Sequence, residues 1–260
     1  MSSLGDMKLS IITVVKNGAE TIEETIRSVI GQTYHNIEYL IIDGGSSDGT
    51  AEIIKRYEAR VAYWVSEPDK GIYDGMNKGI KAATGDVVGI LNADDIYADD
   101  SGIESVATAM SQNKAESCYA DLAYVDRKNV NKVVRYWMGG QFYKERFKRG
   151  WMPPHPTFFV KREIYRKYGA FNTYFAVAAD YELMLRFLYR YGISTIYIPR
   201  LLIKMRTRGK SHPGFLNTPK AMIENYQAWR INGLRPNLIT LAVKPVSKVW
   251  QYIHRNRMDS

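Results

Sequence analysis

The first hundred residues alternate short apolar runs with amphipathic segments. The apolar runs, each predicted to be a buried β-strand, lie at 9–15, 37–42, 61–65 and 87–91. Helical periodicity fills the segments between them, at about 19–31, 48–58 and 72–83. This βαβα series predicts an α/β fold with a Rossmann-like, mostly parallel sheet and helices on both faces. Ligands of such sheets bind at the carboxyl ends of the strands, so the residues after each strand are the first site candidates.

The pattern changes after residue 100. A helix is predicted at 102–112, followed by strands at 118–125 and 130–137. A connection rich in glycine, proline and aromatic residues then spans 139–156, and it is followed by a helix from about 180 and a last strand at 193–198. This part is predicted to be an α+β half that decorates the first half.

Polar residues follow all four strands predicted in the first half, and three of these strand ends are acidic. The acidic segments are 43–50 (DGGSSDGT), 67–70 (EPDK) and 92–95 (NADD). The whole chain is basic, with 36 Lys and Arg against 27 Asp and Glu, a net charge of +9 that should attract anions such as phosphates. Carboxylates crowded at one edge repel one another unless a cation lies between them, which favours a bound divalent metal.

The length of 260 residues suits one large α/β domain with a C-terminal appendage. Cys118 is the only cysteine, so no intramolecular disulfide forms, and a reducing compartment such as the cytoplasm is expected. The sequence contains neither a signal-peptide pattern nor an uninterrupted apolar stretch of about 18 residues. Neither export nor a membrane span is therefore expected.

Two carboxylates of the first half are the leading candidates for ligand binding. Asp94 emerges from a buried strand at the ligand edge and is interpreted as a metal ligand rather than a turn residue, while both roles stay open for Asp95. Asp43 precedes two glycines that allow close approach of a ligand, so its carboxylate is a candidate acceptor for a base or ribose. Asp48 is interpreted as a helix cap. No Gly-x-Gly-x-x-Gly segment follows the first strand, which disfavours a nicotinamide enzyme.

The second half adds further candidates. Asp180 opens a predicted helix, where it is either an N-cap or the group that accepts a proton from an attacking hydroxyl. His155 stands between prolines, either as a site residue or as a packed or surface residue. A basic loop either closes over a diphosphate or is a solvated turn, and it carries Arg206, Arg208, Lys210 and His212.

In their order and spacing, these segments resemble glycosyltransferase family 2, a group of inverting enzymes with the GT-A fold, and the likeness covers roughly residues 8 to 210. The segments that carry it are 9–17 (LSIITVVKN), 38–50 (EYLIIDGGSSDGT), 66–80 (SEPDKGIYDGMNKGI), 92–95 (NADD) and 179–183 (ADYEL). Two positions depart from the family pattern. Asn92 replaces the first Asp of an Asp-x-Asp motif, and Ala179 replaces a Glu before the base.

The resemblance implies a role for each matching position. Asp43 would hold the nucleobase, Asp94 would bind Mn²⁺ or Mg²⁺, and Asp180 would be the catalytic base. The positions that it places near the nucleotide are Thr13, Val15, Asn17, Asp43, Lys70, Asn77, Asn92 and Ala93. Further candidates of second rank are Asp95, His155, Arg208 and Lys210.

The resemblance also implies an activity. The chain is expected to transfer a sugar, with inversion and with a divalent metal, from a nucleotide diphosphate sugar to a hydroxyl of a growing, lipid-linked glycan, as in bacterial polysaccharide biosynthesis. UDP is the expected nucleotide, with GDP and dTDP as alternatives. Residues 1–100 would form the nucleotide-sugar half of one GT-A domain, 101–212 the acceptor half, and 213–260 a helical tail.

The last residues of the chain mix apolar, aromatic and basic side chains, from 238 to 257. Such a mixture predicts either peripheral contact with an anionic membrane, on the inner face of the plasma membrane, or packing on the domain or on another subunit. The sequence disfavours two rival functions. A nucleotidyltransferase is disfavoured because no glycine-rich phosphate loop follows the first strand, and nucleic-acid binding is disfavoured because strand-end carboxylates repel phosphates.

Overall fold

The fold is taken from a computed structural model of the chain, which describes residues 7–207 and 219–235. The predictions made for Arg208, Lys210, His212 and most of the 213–260 tail lie outside the described residues. Of the tail, residues 219–235 are described.

The described residues form one nine-stranded sheet and seven α-helices. The strands are β1 Leu9–Val15, β2 Ile37–Asp43, β3 Tyr63–Ser66, β4 Val87–Asn92, β5 Asp95–Tyr97, β6 Ser117–Val125, β7 Val133–Trp137, β8 Phe159–Lys161 and β9 Thr195–Arg206. The helices are α1 Ile22–Ile30, α2 Thr50–Lys55, α3 Ile72–Ala82, α4 Gly102–Asn113, α5 Arg162–Tyr168, α6 Ala179–Met184 and α7 Pro219–Ile231. Shorter 3₁₀ segments lie at Glu58–Arg60, Lys144–Arg149 and His155–Thr157, and a π-helical turn at Leu185–Arg190 continues α6.

The strand order is β3-β2-β1-β4-β8-β6-β9-β5, with β7 paired to β6. The first four strands are mutually parallel, as are β6 and β9. Antiparallel pairing joins β8 to β4 and β6, β5 to β9, and β7 to β6. The predicted α/β class with a mostly parallel sheet is confirmed.

The central strand β1 is buried along its whole length, which is why its sequence is an unbroken apolar run. Helix α1 packs on the sheet through one face, with Ile22, Ile26 and Val29 buried at helical spacing. Helix α3 approaches β1 closely at Gly79, where an added Cβ would lie 2.3 Å from the Ile12 side chain. These contacts fix α1 and α3 against the sheet. The carboxyl ends of β1, β2, β3 and β4, called the strand-end edge below, lie beside these helices.

The structure differs from the sequence predictions at several element ends. Strand β9 continues to Arg206, well past the predicted end at residue 198, because it pairs with β6 and then with β5. Gly49 takes the N-cap position of α2, but Asp48, one residue earlier, accepts a hydrogen bond from the amide of Thr50, the first residue of the helix, 3.1 Å away. Asp180 is not the N-cap of α6, because α6 begins at Ala179.

The single cysteine lies inside the sheet. Cys118 is fully buried in β6, and this burial raises the pKa of its thiol. Across residues 7–207 and 219–235, no helix is both long enough and apolar enough to cross a bilayer.

Candidate active site

Asp43 ends strand β2 and is completely buried at the strand-end edge. Its carboxylate accepts hydrogen bonds from the Ser46 amide at 3.0 Å and the Ser66 hydroxyl at 2.5 Å, and it also accepts one from the Ser46 hydroxyl. The carboxylate is therefore held rigidly at the end of its strand by the loop after β2 and by the end of β3.

The loops after β1 and β2 are joined to each other. Asn17 adopts the left-handed region at φ 51°, its amide donates to Ser46 Oγ at 2.7 Å, and its Oδ1 accepts the Ser47 amide at 3.0 Å. The Val15 carbonyl accepts the Gly44 amide at 2.8 Å. The structure therefore places Val15, Asn17 and Asp43 together at one edge.

The structure does not place Thr13 at this edge. Thr13 is fully buried within β1, and its hydroxyl accepts a hydrogen bond from Tyr39 at 3.0 Å. Thr13 lies two residues before the end of β1, and its side chain points into the core. The sequence does not reveal this direction, because a strand that is buried on both faces shows no alternation of polar and apolar residues.

Lys70 and Asn77 occupy different environments although one motif carries both. Lys70 is exposed, and its amide donates to Asp74 Oδ2 at 3.0 Å. Asn77 lies on α3, where its amide group donates to the Phe171 carbonyl and accepts the Phe171 amide, both at 2.9 Å. Asn77 thereby joins α3 to the segment before α6, a packing role that the sequence pattern did not indicate.

The turn between β4 and β5 carries Ala93 and Asp94, and it is held through its backbone. The Thr25 hydroxyl lies 2.9 Å from the Ala93 carbonyl and 2.8 Å from the Asp95 carbonyl. Arg206 donates to the Asp94 carbonyl at 2.9 Å and forms an ion pair with Glu24. Arg206 was predicted as part of a basic loop, but it ends strand β9 and is buried, so its role is to hold this turn.

Asp95 is fully buried directly after this turn. Burial raises the pKa of its carboxyl well above the usual value, and the nearby charge of Asp94 raises it further. Asn92 Nδ2 donates to Asp95 Oδ2 at 3.3 Å. Within the described part of the chain, Asn92 Oδ1 and Asp95 Oδ1 are buried oxygens without a hydrogen-bond partner.

Unpartnered buried oxygens beside a half-buried carboxylate suit a hard divalent cation. No group of three or more His, Cys, Asp or Glu side chains forms a complete metal site in residues 7–207 and 219–235. A Mg²⁺-type site needs only one or two protein carboxylates, because substrate phosphates and water supply its other ligands. The residues at 92–95 therefore fit the predicted Mn²⁺ or Mg²⁺.

Asp180 lies in the first turn of α6, with its side chain 13% exposed. His155 Nδ1 lies 3.3 Å from Asp180 Oδ2, without the geometry of a hydrogen bond. Asn92, His155 and Asp180 line the same cavity of about 100 Å³, whose other walls are largely apolar. Residues far apart in sequence, from three segments of the chain, are thereby brought together.

Aromatic residues that sequence reasoning missed flank this cavity. Trp137 stacks on Tyr124 with ring centroids 6.3 Å apart and meets the ring of His155 at 6.4 Å. Tyr73 lines the cavity itself, and its hydroxyl donates to the Val177 carbonyl at 2.8 Å. Tyr73 belongs to the segment 66–80, so its place at the site could have been predicted from that motif. The contact between Trp137 and His155 could not, because it depends on tertiary packing.

The sequence model of the family described as "Glycosyl transferase family 2" matches residues 10–175. The chain belongs to glycosyltransferase family 2. An uncharacterized glycosyltransferase of Mycobacterium tuberculosis is 33% identical over 180 residues, which cover 68% of each chain. A glycosyltransferase of PGL/p-HBAD biosynthesis from Mycobacterium bovis is 28% identical over 194 residues, 73% of each chain.

Solved structures of glycosyltransferases share the fold. S. aureus TarS 1–349 in complex with UDP-GlcNAc superposes with a TM-score of 0.67 at 16% identity, over 87% of this glycosyltransferase and 65% of the TarS chain. The mannosyltransferase PcManGT of Pyrobaculum calidifontis, in complex with GDP-Man and Mn²⁺, gives a TM-score of 0.58 at 17% identity, over 94% and 80% of the two chains. This family 2 glycosyltransferase therefore has the expected GT-A fold, and it spans just under two thirds of the TarS fragment.

Proposed function

We propose that this glycosyltransferase transfers a sugar from a nucleotide diphosphate sugar to a hydroxyl of a glycan acceptor, with inversion and with a divalent metal. The observation that carries the proposal is the shared cavity of Asn92, His155 and Asp180, directly beside the turn that bears Asp94. A candidate base in the cavity and a candidate metal ligand two residues after Asn92, which lines its wall, are the two groups that a single displacement needs.

In the proposed reaction, Asp180 accepts the proton of the acceptor hydroxyl while that oxygen attacks the anomeric carbon. The bond from the anomeric carbon to the diphosphate oxygen breaks on the opposite face, so one displacement inverts the centre. His155 lines the same cavity, with its Nδ1 3.3 Å from Asp180 Oδ2, and is proposed as a neighbour of the base in the reacting complex. Asp43, already held by two serines, would accept hydrogen bonds from the nucleobase.

Asp94 would hold the cation, with Asp95 as an adjoining carboxyl. A bound divalent ion would neutralise charge on the departing nucleoside diphosphate. UDP is the proposed nucleotide, on the family resemblance and on the UDP-GlcNAc complex of TarS, while the GDP-Man complex of PcManGT keeps GDP as the alternative. Val15, Asn17, Lys70, Asn92 and Ala93 are the proposed surroundings of the nucleotide.

The acceptor is proposed to be a growing, lipid-linked glycan, which rests on the family resemblance. Peripheral contact with the inner face of the plasma membrane is proposed with it. The basic excess of the chain supports that contact, because anionic headgroups attract a net charge of +9.

Calorimetric titration of UDP, GDP and dTDP, with and without Mn²⁺, tests the site in the intact protein and in Asp94→Ala. We expect one nucleotide to bind in a metal-dependent way and to lose at least tenfold in affinity in the variant, on the order of 1.4 kcal/mol. Metal-independent binding of equal strength in Asp94→Ala would remove Asp94 from the metal site.

Asp180→Asn tests the base separately. We expect unchanged nucleotide affinity and a loss of turnover of about 10²-fold or more, because the amide cannot accept the proton. Turnover equal to that of the unchanged protein would remove Asp180 from the mechanism.

A further inference from the structure

The turn directly before Asp180 is held by one carboxylate from a distant part of the chain. The amides of Val177 and Ala178 both donate to Glu224 Oε2 at 2.9 Å, and the amide of Ala176 donates to Glu224 Oε1 at 3.2 Å. Three consecutive backbone N–H groups that converge on one carboxylate form a concave, charge-assisted arrangement. It fixes the backbone of the turn rather than any side chain.

Glu224 lies on α7 and is only 6% exposed, so its hydrogen bonds are shielded from water. The opposite side of the same turn is held by α3, whose Tyr73 hydroxyl donates to the Val177 carbonyl at 2.8 Å. Burial, and then the charge of Asp180, raise the pKa of Tyr73, so that the phenol stays protonated and continues to donate. The turn is thus clamped between α3 and α7.

The clamp leads directly to Asp180. The Ala178 carbonyl accepts the Glu182 amide at 2.9 Å, and Ala178 is the N-cap of α6, two residues before Asp180. Asp180 lines the cavity from the first turn of α6. A shift of residues 176–178 would therefore displace both the start of this helix and the Asp180 carboxylate.

Two other contacts join α7, and the residue directly after it, to α6 without touching the turn. Trp229 Nε1 donates to the Tyr181 hydroxyl at 2.8 Å, and Asn232 Nδ2 donates to Glu182 Oε1 at 3.0 Å. Residues 219–235 lie beyond the segment 10–175 that the family model matches.

We propose that Glu224 is a positioning residue for Asp180 and that α7 is a working part of the active site. The proposal rests on the proposed role of Asp180 as the base. Reacting groups must be held to within a fraction of an ångström, and a displacement of about 1 Å can reduce turnover by about 10²-fold. Glu224 supplies that precision through the backbone, without touching the substrate.

Hydrogen exchange of the full-length protein tests the clamp without any substrate. In Glu224→Ala we expect the amides of residues 176–178 to exchange at least tenfold faster, because they lose their common acceptor. Glu224→Gln retains one acceptor oxygen and should give an intermediate rate. Asn232→Ala is the matched control, since it removes another buried contact between α7 and α6 and should leave exchange at the turn unchanged.

Turnover measurements then test positioning. With UDP-GlcNAc and GDP-Man as probe donors, water as acceptor and Mn²⁺ present, we expect Glu224→Ala to lower kcat about tenfold or more. The donor KM and the calorimetric affinity for nucleotide should not change, because none of the residues proposed to surround the nucleotide belongs to the turn. Glu224→Gln should recover part of kcat, and Asn232→Ala should retain it.

The double variant Asp180→Asn, Glu224→Ala distinguishes positioning from general damage. A residue that acts only through Asp180 adds no further loss once that carboxylate is gone. An additional loss in the double variant, a kcat of Glu224→Ala equal to that of Asn232→Ala, or unchanged exchange at 176–178 would each overturn the proposal. If the unchanged protein turns over neither donor, the proposed function fails on that result, and the exchange rates alone decide whether Glu224 holds the turn.

Discussion

At the scale of single residues, Glu38 is a buried carboxylate that remains charged. It is the second residue of strand β2 and accepts hydrogen bonds from Lys8 Nζ at 2.8 Å, Ser10 Oγ at 2.5 Å and the Thr84 amide at 2.7 Å. Burial alone would raise the pKa of Glu38, but these hydrogen bonds outweigh it and lower the pKa to about 2. The carboxylate therefore links β1, β2 and the turn that leads into β4.

This depressed pKa predicts a pH-dependent contribution to stability. The contribution is fully present above the ordinary value of 4.5 and is lost as the pH falls from there towards about 2. Glu38→Gln should lower the free energy of unfolding by roughly 3 kcal/mol near neutral pH, with a difference that shrinks towards zero below pH 4.5. Urea denaturation across this pH range measures it.

Glu163→Gln is the control, because its side chain is 70% exposed and its contact to Lys161 is long, at 3.8 Å. Its effect should be small at every pH. A difference between the unchanged protein and Glu38→Gln that does not vary with pH would show that the charge of Glu38 is not the cause.

Residue positions that end a strand were predictable, because hydrophobic runs reveal where a strand stops. Asp43 and Asp94 were found in this way, and both lie at the expected edge. The surroundings of Thr13 and Asn77 could not be predicted in this way, because their partners, Tyr39 and Phe171, are brought to them only by tertiary packing. The roles of all four in catalysis or binding remain predictions.

At the scale of elements, the pairing of β9 with β5 brings a guanidinium to the candidate metal turn. Asp95 pairs with Met205, the residue before Arg206. Arg206 then contacts the Asp94 carbonyl at 2.9 Å, the Arg127 carbonyl at 3.2 Å and the Glu24 carboxylate. The planar guanidinium bridges three groups that a lysine ammonium cannot reach together.

Arg206→Lys should therefore weaken metal-dependent nucleotide binding by about tenfold, since the turn loses at least one charge-assisted hydrogen bond. Calorimetric titration with Mn²⁺ measures the change. Arg127→Ala serves as the control, because it removes only an ion pair with Glu20 in which the side chains are 38% and 64% exposed. Equal nucleotide affinity in Arg206→Lys and the unchanged protein would contradict the role given to this side chain.

Elements with a long hydrophobic run were predictable, and short ones were not. Strands β5 and β8 have three residues each, too few to show a period of two. Their existence depends on the longer strands β9, β4 and β6, which they pair with. For α6, the helical pattern predicted the element, but the cap position depended on Glu224, which lies far away in sequence.

At the scale of the whole molecule, the net charge and the composition of the last residues favour contact with an anionic membrane surface. The net charge is +9, and residues 236–260, outside the described part, continue the mixture of apolar, aromatic and basic residues. Such a segment adds both apolar area and Coulombic attraction to an anionic surface.

Flotation with anionic vesicles should therefore retain the full chain and release a chain truncated at Pro236, with weaker retention at high salt. The truncation leaves Asn232 and the α7 contacts in place. Vesicles of neutral phosphatidylcholine provide the control. Equal flotation of the two chains would show that the last residues do not bind the membrane.

The buried position of Cys118 has a practical consequence for following motion in solution. A thiol that is enclosed in the sheet and has a raised pKa reacts poorly with maleimides and other electrophiles. A cysteine introduced at Tyr174, which is 69% exposed shortly before the clamped turn, would then be the one reactive thiol in the protein. A single spin label or fluorophore could be attached there without replacing the native cysteine, and it would report how the segment before α6 moves during turnover.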